Sequence, residues 1–97
     1  MPVIAVFATV RSRPGRRAEL IEAIRADVLP IVDAEEGTLE YRLHEDLRDP
    51  DLVHVYERYA SKEAFVAHVK AIGPRLNAMG DLMDGVPELH QASPIEP

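Results

Sequence analysis

The chain has 97 residues, of which 46% are hydrophobic and 29% charged, the balance of a folded globular domain and not of a disordered tail or linker. Eleven Lys and Arg against 17 Asp and Glu leave a net charge of −6, without the basic excess of a nucleic-acid-binding module. There is no cysteine, which excludes a disulfide framework, a thiolate nucleophile and a thiolate metal site.

A chain this short holds one core, so a single domain over residues 1–97 is expected. No apolar run approaches the roughly 20 residues that cross a bilayer. The start, Met1-Pro2-Val3, lacks the charged region and cleavage pattern of a signal peptide. The expectation is a cytoplasmic protein that binds neither membrane nor nucleic acid.

In chain order, Val3 to Val10 is nearly continuous apolar sequence rich in β-branched residues, which predicts a strand buried on both faces. Arg13-Pro14-Gly15 ends it. A helical pattern follows from about Arg16 to Asp33, with Ile21, Ile24, Val28, Ile31 and Val32 at three-and-four spacing. Pro30 lies inside that pattern and predicts a kink or an early end near Leu29.

Thr38 to Glu45 and Leu52 to Tyr59 then alternate as two strands, joined by a turn over Asp46 to Asp51. Placing Asp46 opposite Asp51 sets Tyr41 against Tyr56, and Glu57 against Glu40 and diagonal to Arg42. Ser61 is a suitable N-cap for a helix from Lys62 to about Ala71, with Phe65, Val69 and Ile72 as its stripe. Gly73-Pro74 is expected to break that helix, leaving a second short one over Arg75 to Met83. Val86 to Ala92 is the last strand, and Pro87, Pro94 and Pro97 suit a sheet edge.

The resulting order, β-α-β-β-α-(α)-β, predicts an α+β fold of ferredoxin-like, split βαβ type, with a four-stranded antiparallel sheet. Helices cover one face of such a sheet only, whereas the first strand and the hairpin carry apolar or bulky residues on both. An uncovered apolar face is an interaction surface, and a second copy covers it by two-fold symmetry. A homodimer through sheet faces is therefore expected.

Candidate chemistry is sparse. His44, His54, His68 and His90 show no i, i+4 pairing on a helix, so no metal site is expected. No phosphate-cradling glycine loop or nucleophile elbow is present, so no cofactor is expected either. Tyr41, Tyr56, Glu57 and His68 are placed between the sheet and the second helix, with Phe7 as a wall. Imidazole titrates near neutrality, so His68 suits a general base, and it equally suits a packed core histidine. Glu57 either orients a histidine, binds a substrate hydroxyl or pairs with Arg42. The tyrosines read as core aromatics with one wet end or as pocket phenols. Arg11, Arg13, Arg16 and Arg17 form a cluster able to draw an anion, or a solvated charge run. Glu35-Glu36 reads as surface.

Four segments together resemble the antibiotic biosynthesis monooxygenase family of small quinol monooxygenase-like proteins. They are Arg13-Pro14-Gly15-Arg16, Glu35-Glu36-Gly37-Thr38-Leu39-Glu40-Tyr41, Val55-Tyr56-Glu57-Arg58-Tyr59 and Ser61 to His68. The family often has Trp where Tyr59 stands and Cys where Thr38 stands; absence of the Trp separates this chain from the haem-degrading branch. The resemblance implies a dimeric α+β barrel and oxygenation of a small electron-rich aromatic, a quinol or anthrone, by molecular oxygen without metal or flavin. It implies His68 and Glu57 as catalytic residues, with Tyr41, Tyr56 and Phe7 binding substrate. Relatives also include isomerases of small phosphorylated or keto metabolites, and non-catalytic ligand binding is a third reading.

Overall fold

The computed structural model describes residues 2–95; Met1 and Pro97, cited above, lie outside the described residues. Strand β1 (Ile4–Arg11) leads into helix α1 (Arg17–Asp27) and the short helix α2 (Leu29–Ala34). Strands β2 (Thr38–Glu45) and β3 (Leu52–Tyr59) follow, then helix α3 (Lys62–Ala78), a single 3-10 turn (Gly80–Leu82) and strand β4 (Glu88–Ala92). The sheet order is β2-β3-β1-β4, with every pairing antiparallel. This is the ferredoxin-like α+β arrangement.

The expected interruption near Leu29 falls at Val28, and α2 restarts with Pro30 in its first turn, where a missing N–H costs nothing. Leu20, Ile24, Val28 and Val32 are the buried members of this stretch, and they meet Ala8, Val10, Val53 and Val55 of the sheet. Ser61 caps α3 as expected, its hydroxyl accepting the Ala64 amide at 3.1 Å.

Three expectations fail, two in local structure and one in the burial of the first strand. Gly73-Pro74 does not break α3, which runs through Pro74 to Ala78. Glycine before proline removes the Cβ that would clash in a helix, and buried Ile72 and Met79 carry the apolar stripe across the site. The segment after it supplies only the 3-10 turn. The hairpin register also differs by one residue: Tyr41 pairs with Glu57, and Arg42 with Tyr56. The turn explains the slip. The Asp46 carboxylate accepts the amides of Arg48 and Asp49 and the His54 Nε2, at 3.0, 2.7 and 2.7 Å, and so starts the turn itself. These bonds hold the Asp46 carboxyl below its ordinary range.

Because side chains alternate along a strand, the register decides which face each one occupies. Val6, Ala8 and Val10 point to the helices, as do their partners Glu57, Val55 and Val53. Phe7 and its partner Tyr56 point the other way, with ring centroids 5.5 Å apart and Phe7 51% exposed. The first strand is therefore not buried on both faces within one chain. No helix among the described residues is long and apolar enough to cross a membrane.

Candidate active site

Gly37 sets the site. A Cβ built there would lie 2.5 Å from the Cβ of Ala64, so only glycine lets the start of β2 approach α3 this closely. The Gly37 carbonyl also accepts the Ala60 amide at 2.8 Å. Ala64 and His68 are one helical turn apart on α3, so the same approach brings the loop before β2 against His68. Its Nδ1 lies 2.7 Å from Oε1 of Glu35, and the Thr38 hydroxyl donates to that same oxygen at 3.0 Å.

His68 is 1% exposed. Its ring lies between two tyrosines, 5.4 Å from Tyr41 and 5.2 Å from Tyr59. Nε2 is buried and has no hydrogen-bond partner among the described residues, which is uncommon for a polar atom in a folded core. Glu57 is buried on β3 and accepts a short hydrogen bond from the Tyr59 hydroxyl. Burial pushes the Glu57 carboxyl up, opposed by that bond and by His68. Burial, with Glu57 and Glu35 nearby, raises the Tyr41 phenol above its ordinary range. Tyr59 is raised for the same reason and by its bond to Glu57. Both phenols therefore stay protonated and act as donors, not bases.

His68, Glu57 and Tyr41 line one cavity of about 220 Å³. Its other walls are almost wholly apolar, from Ala8, Val10 and Val55 of the sheet to Phe65 and Ile72 of α3. Val69 and Leu89, both half-exposed, belong to the lining on α3 and β4.

Of the five residues named from the sequence, His68, Glu57 and Tyr41 are thus brought together. Tyr56 and Phe7 are not: Tyr56 is the neighbour of Glu57 on β3 and so points to the opposite face of the sheet, and Phe7 pairs with Tyr56 and shares that face. Glu57 does not pair with Arg42, whose partner is Glu40 at 3.2 Å. Glu35, read as surface, instead contacts His68. It follows a helix end and sits 33 residues away in sequence, so the signals for it were its place two residues before Gly37 and at the head of a segment that carries the resemblance.

Most of the arginine cluster is engaged. Arg11 binds Asp49 at 3.0 Å and Arg16 binds Glu19 at 2.7 Å. Arg17 binds Glu45 and donates to the carbonyls of Asp46, Asp49 and Leu52, tying α1 to the hairpin turn. Among the described residues, no arginine or lysine lines the cavity that holds His68.

A family model for antibiotic biosynthesis monooxygenases matches residues 3–73. The chain belongs to that family. Solved structures similar to it span its full extent. One is a candidate antibiotic biosynthesis monooxygenase from Caulobacter crescentus, 27% identical over 98% of this chain and 92% of that one, with a TM-score of 0.87. Another is Rv0793 from Mycobacterium tuberculosis, 26% identical over 98% and 97% of the two chains, with a TM-score of 0.82. A third, NE2512 of Nitrosomonas europaea, is a protein of unknown function; at 23% identity over 100% and 93%, with a TM-score of 0.87, it shares the fold. No curated protein matches the chain. Family membership therefore comes with candidate monooxygenases and with proteins of unknown function alike.

Proposed function

We propose that the chain is a cofactor-independent monooxygenase that oxidises a small quinol- or anthrone-like aromatic with molecular oxygen. The observation that carries the reading is the meeting of His68, Glu57 and Tyr41 in one apolar cavity, with His68 Nε2 unpartnered. A volume of about 220 Å³ lies below the roughly 300–1,000 Å³ of drug-sized sites and suits a molecule of one or two rings.

The chemistry needs little else. His68 Nε2 takes a proton from the bound hydroquinol or anthrone, and the anion gives one electron to oxygen. The superoxide formed bonds to a ring carbon, and the imidazolium returns the proton to the peroxide. Loss of water then leaves a new carbonyl. One oxygen atom enters the product and the other leaves as water, the substrate supplying all the electrons. Tyr41 donates to the developing oxyanion, and the apolar walls keep the anion dry.

Glu57 serves as a second polar contact for the substrate. Phe7 and Tyr56, being away from the cavity, belong in this reading to the face that a second copy covers, giving a homodimer through sheet faces. An isomerase of a phosphorylated metabolite fits less well, since an anion would enter a cavity that holds Glu57 and no cation.

The test is oxygen uptake by chelator-treated protein with 1,4-dihydroxynaphthalene. The expected result is catalysed uptake that falls by about 100-fold or more in His68→Ala with the fold intact. Anaerobic turnover of an enolisable substrate would replace this reading with the isomerase. Binding without turnover would replace it with a ligand-binding role.

A further inference from the structure

His68 makes one hydrogen bond and leaves one buried nitrogen bare, and Glu35 decides which is which. Glu35 Oε1 already accepts from the Thr38 hydroxyl at 3.0 Å, and the Glu35 amide is bonded to the Val32 carbonyl at 3.0 Å. The acceptor is thus fixed at both its backbone and its carboxylate. Beside it, an imidazole with its hydrogen on Nε2 would set the Nδ1 lone pair against Oε1, 2.7 Å away. It would also leave an N–H donor unbonded inside the protein. The tautomer with hydrogen on Nδ1 removes both penalties and leaves at Nε2 only a lone pair.

Direction follows from the linings. His68 lines the apolar cavity with Glu57 and Tyr41, whereas Glu35 lies outside it, lining a separate surface cleft with Thr38, Leu39 and Arg42. The imidazole therefore stands in the wall between the two, with its Nδ1 side toward the cleft.

We propose that Glu35 is the positioning residue of His68: it holds the hydrogen on Nδ1, presents the Nε2 lone pair to the cavity and stabilises the imidazolium once a proton is taken. The ligand group that meets Nε2 is then a hydrogen donor, an acidic O–H or C–H. This rests on the reading of His68 as the base, and its test is separable from that reading because the tautomer is observable without turnover.

The experiment is nitrogen-edited NMR of the imidazoles in the full chain, at a pH where His68 is neutral. Wild type is expected to show a protonated Nδ1 and an unprotonated Nε2. Glu35→Gln is expected to shift the population toward Nε2–H by about tenfold or more, as loss of a charged hydrogen-bond partner implies, and Glu35→Asp to restore part of the wild-type pattern. Hydrogen on Nε2 in wild type overturns the proposal, and so does a pattern unchanged in Glu35→Gln. With a turned-over substrate, Glu35→Gln is expected to lower kcat by about tenfold or more at nearly constant KM. A loss confined to KM overturns the positioning role. If the tautomer responds as expected while no oxygen is consumed, the monooxygenase reading fails and the role of Glu35 stands. Anaerobic binding of 1,4-naphthoquinone as tight as that of its diol would overturn the assignment of a donor ligand.

Discussion

Tyr41 and Glu57 are direct cross-strand partners in the β2–β3 ladder, and that pairing turns both side chains toward the helices. One register step away, Tyr41 would have faced Tyr56, and the cavity would have lost either its phenol or its carboxyl. Asp46 governs this choice, since it begins the turn by accepting two amides and the His54 ring nitrogen.

Glu57 makes stability depend on pH in a direction opposite to that of a paired carboxylate. Burial raises its carboxyl in the folded state, so between the unfolded and folded values the native chain binds the proton that the unfolded chain has released. Stability contributed by this group therefore falls as pH rises through that interval, beginning near the ordinary glutamate value of 4.5. Glu57→Gln keeps an acceptor for Tyr59 and carries no charge. Urea unfolding from about pH 4 to about pH 8 is expected to show the variant gaining on wild type as pH rises. A variant that loses ground to wild type as pH rises contradicts the assignment.

Gly37→Ala forces a methyl to within 2.5 Å of the Ala64 Cβ. The expected cost is about 1–3 kcal/mol, the usual range for overpacking. Ala64→Gly in the same chain removes the obstacle and should recover most of the loss, measured by denaturant unfolding. Because the approach also seats Glu35 beside His68, Gly37→Ala is expected to weaken ligand binding too.

Phe7→Asp tests the uncovered sheet face. Phe7 is 51% exposed against Tyr56, and a charge there would be buried by a second copy at a cost of several kcal/mol. Light scattering is expected to give about twice the 10.8 kDa chain mass for wild type and one chain mass for the variant. A wild-type mass of a single chain at micromolar concentration would remove the dimer.

Leu89 stands on the edge strand β4, half-exposed and in the cavity lining. Leu89→Trp is expected to leave stability within about 0.5 kcal/mol, as exposed substitutions do, while obstructing the cavity. Oxygen uptake should show KM raised by about tenfold with the melting curve unchanged. An unaltered KM would place the entrance elsewhere.

Much of the fold is written locally. The bounds of β2 and β3, the Ser61 cap, the break around Val28 and Pro30, and the edge character of β4 each depend on residues within a few positions of one another. Propensity, capping and alternation act over that range, so the sequence carries them. His68, Glu57 and Tyr41 could likewise be picked out, because a histidine beside a helical stripe and a carboxylate among apolar strand residues are local anomalies.

The rest depends on distances that run through space. The continuation of α3 past Pro74 is decided by Ile72 and Met79 finding a core to enter, which outweighs the loss of one helical hydrogen bond. The hairpin register follows from how Asp46 folds its carboxylate over the turn. Glu35 is ordinary in sequence and becomes part of the site only because Gly37 lets its loop close on a helix 33 residues away. Alternation alone determined that the strands have two unlike faces; the register, set by a turn and a close contact, decided which side chains share the cavity.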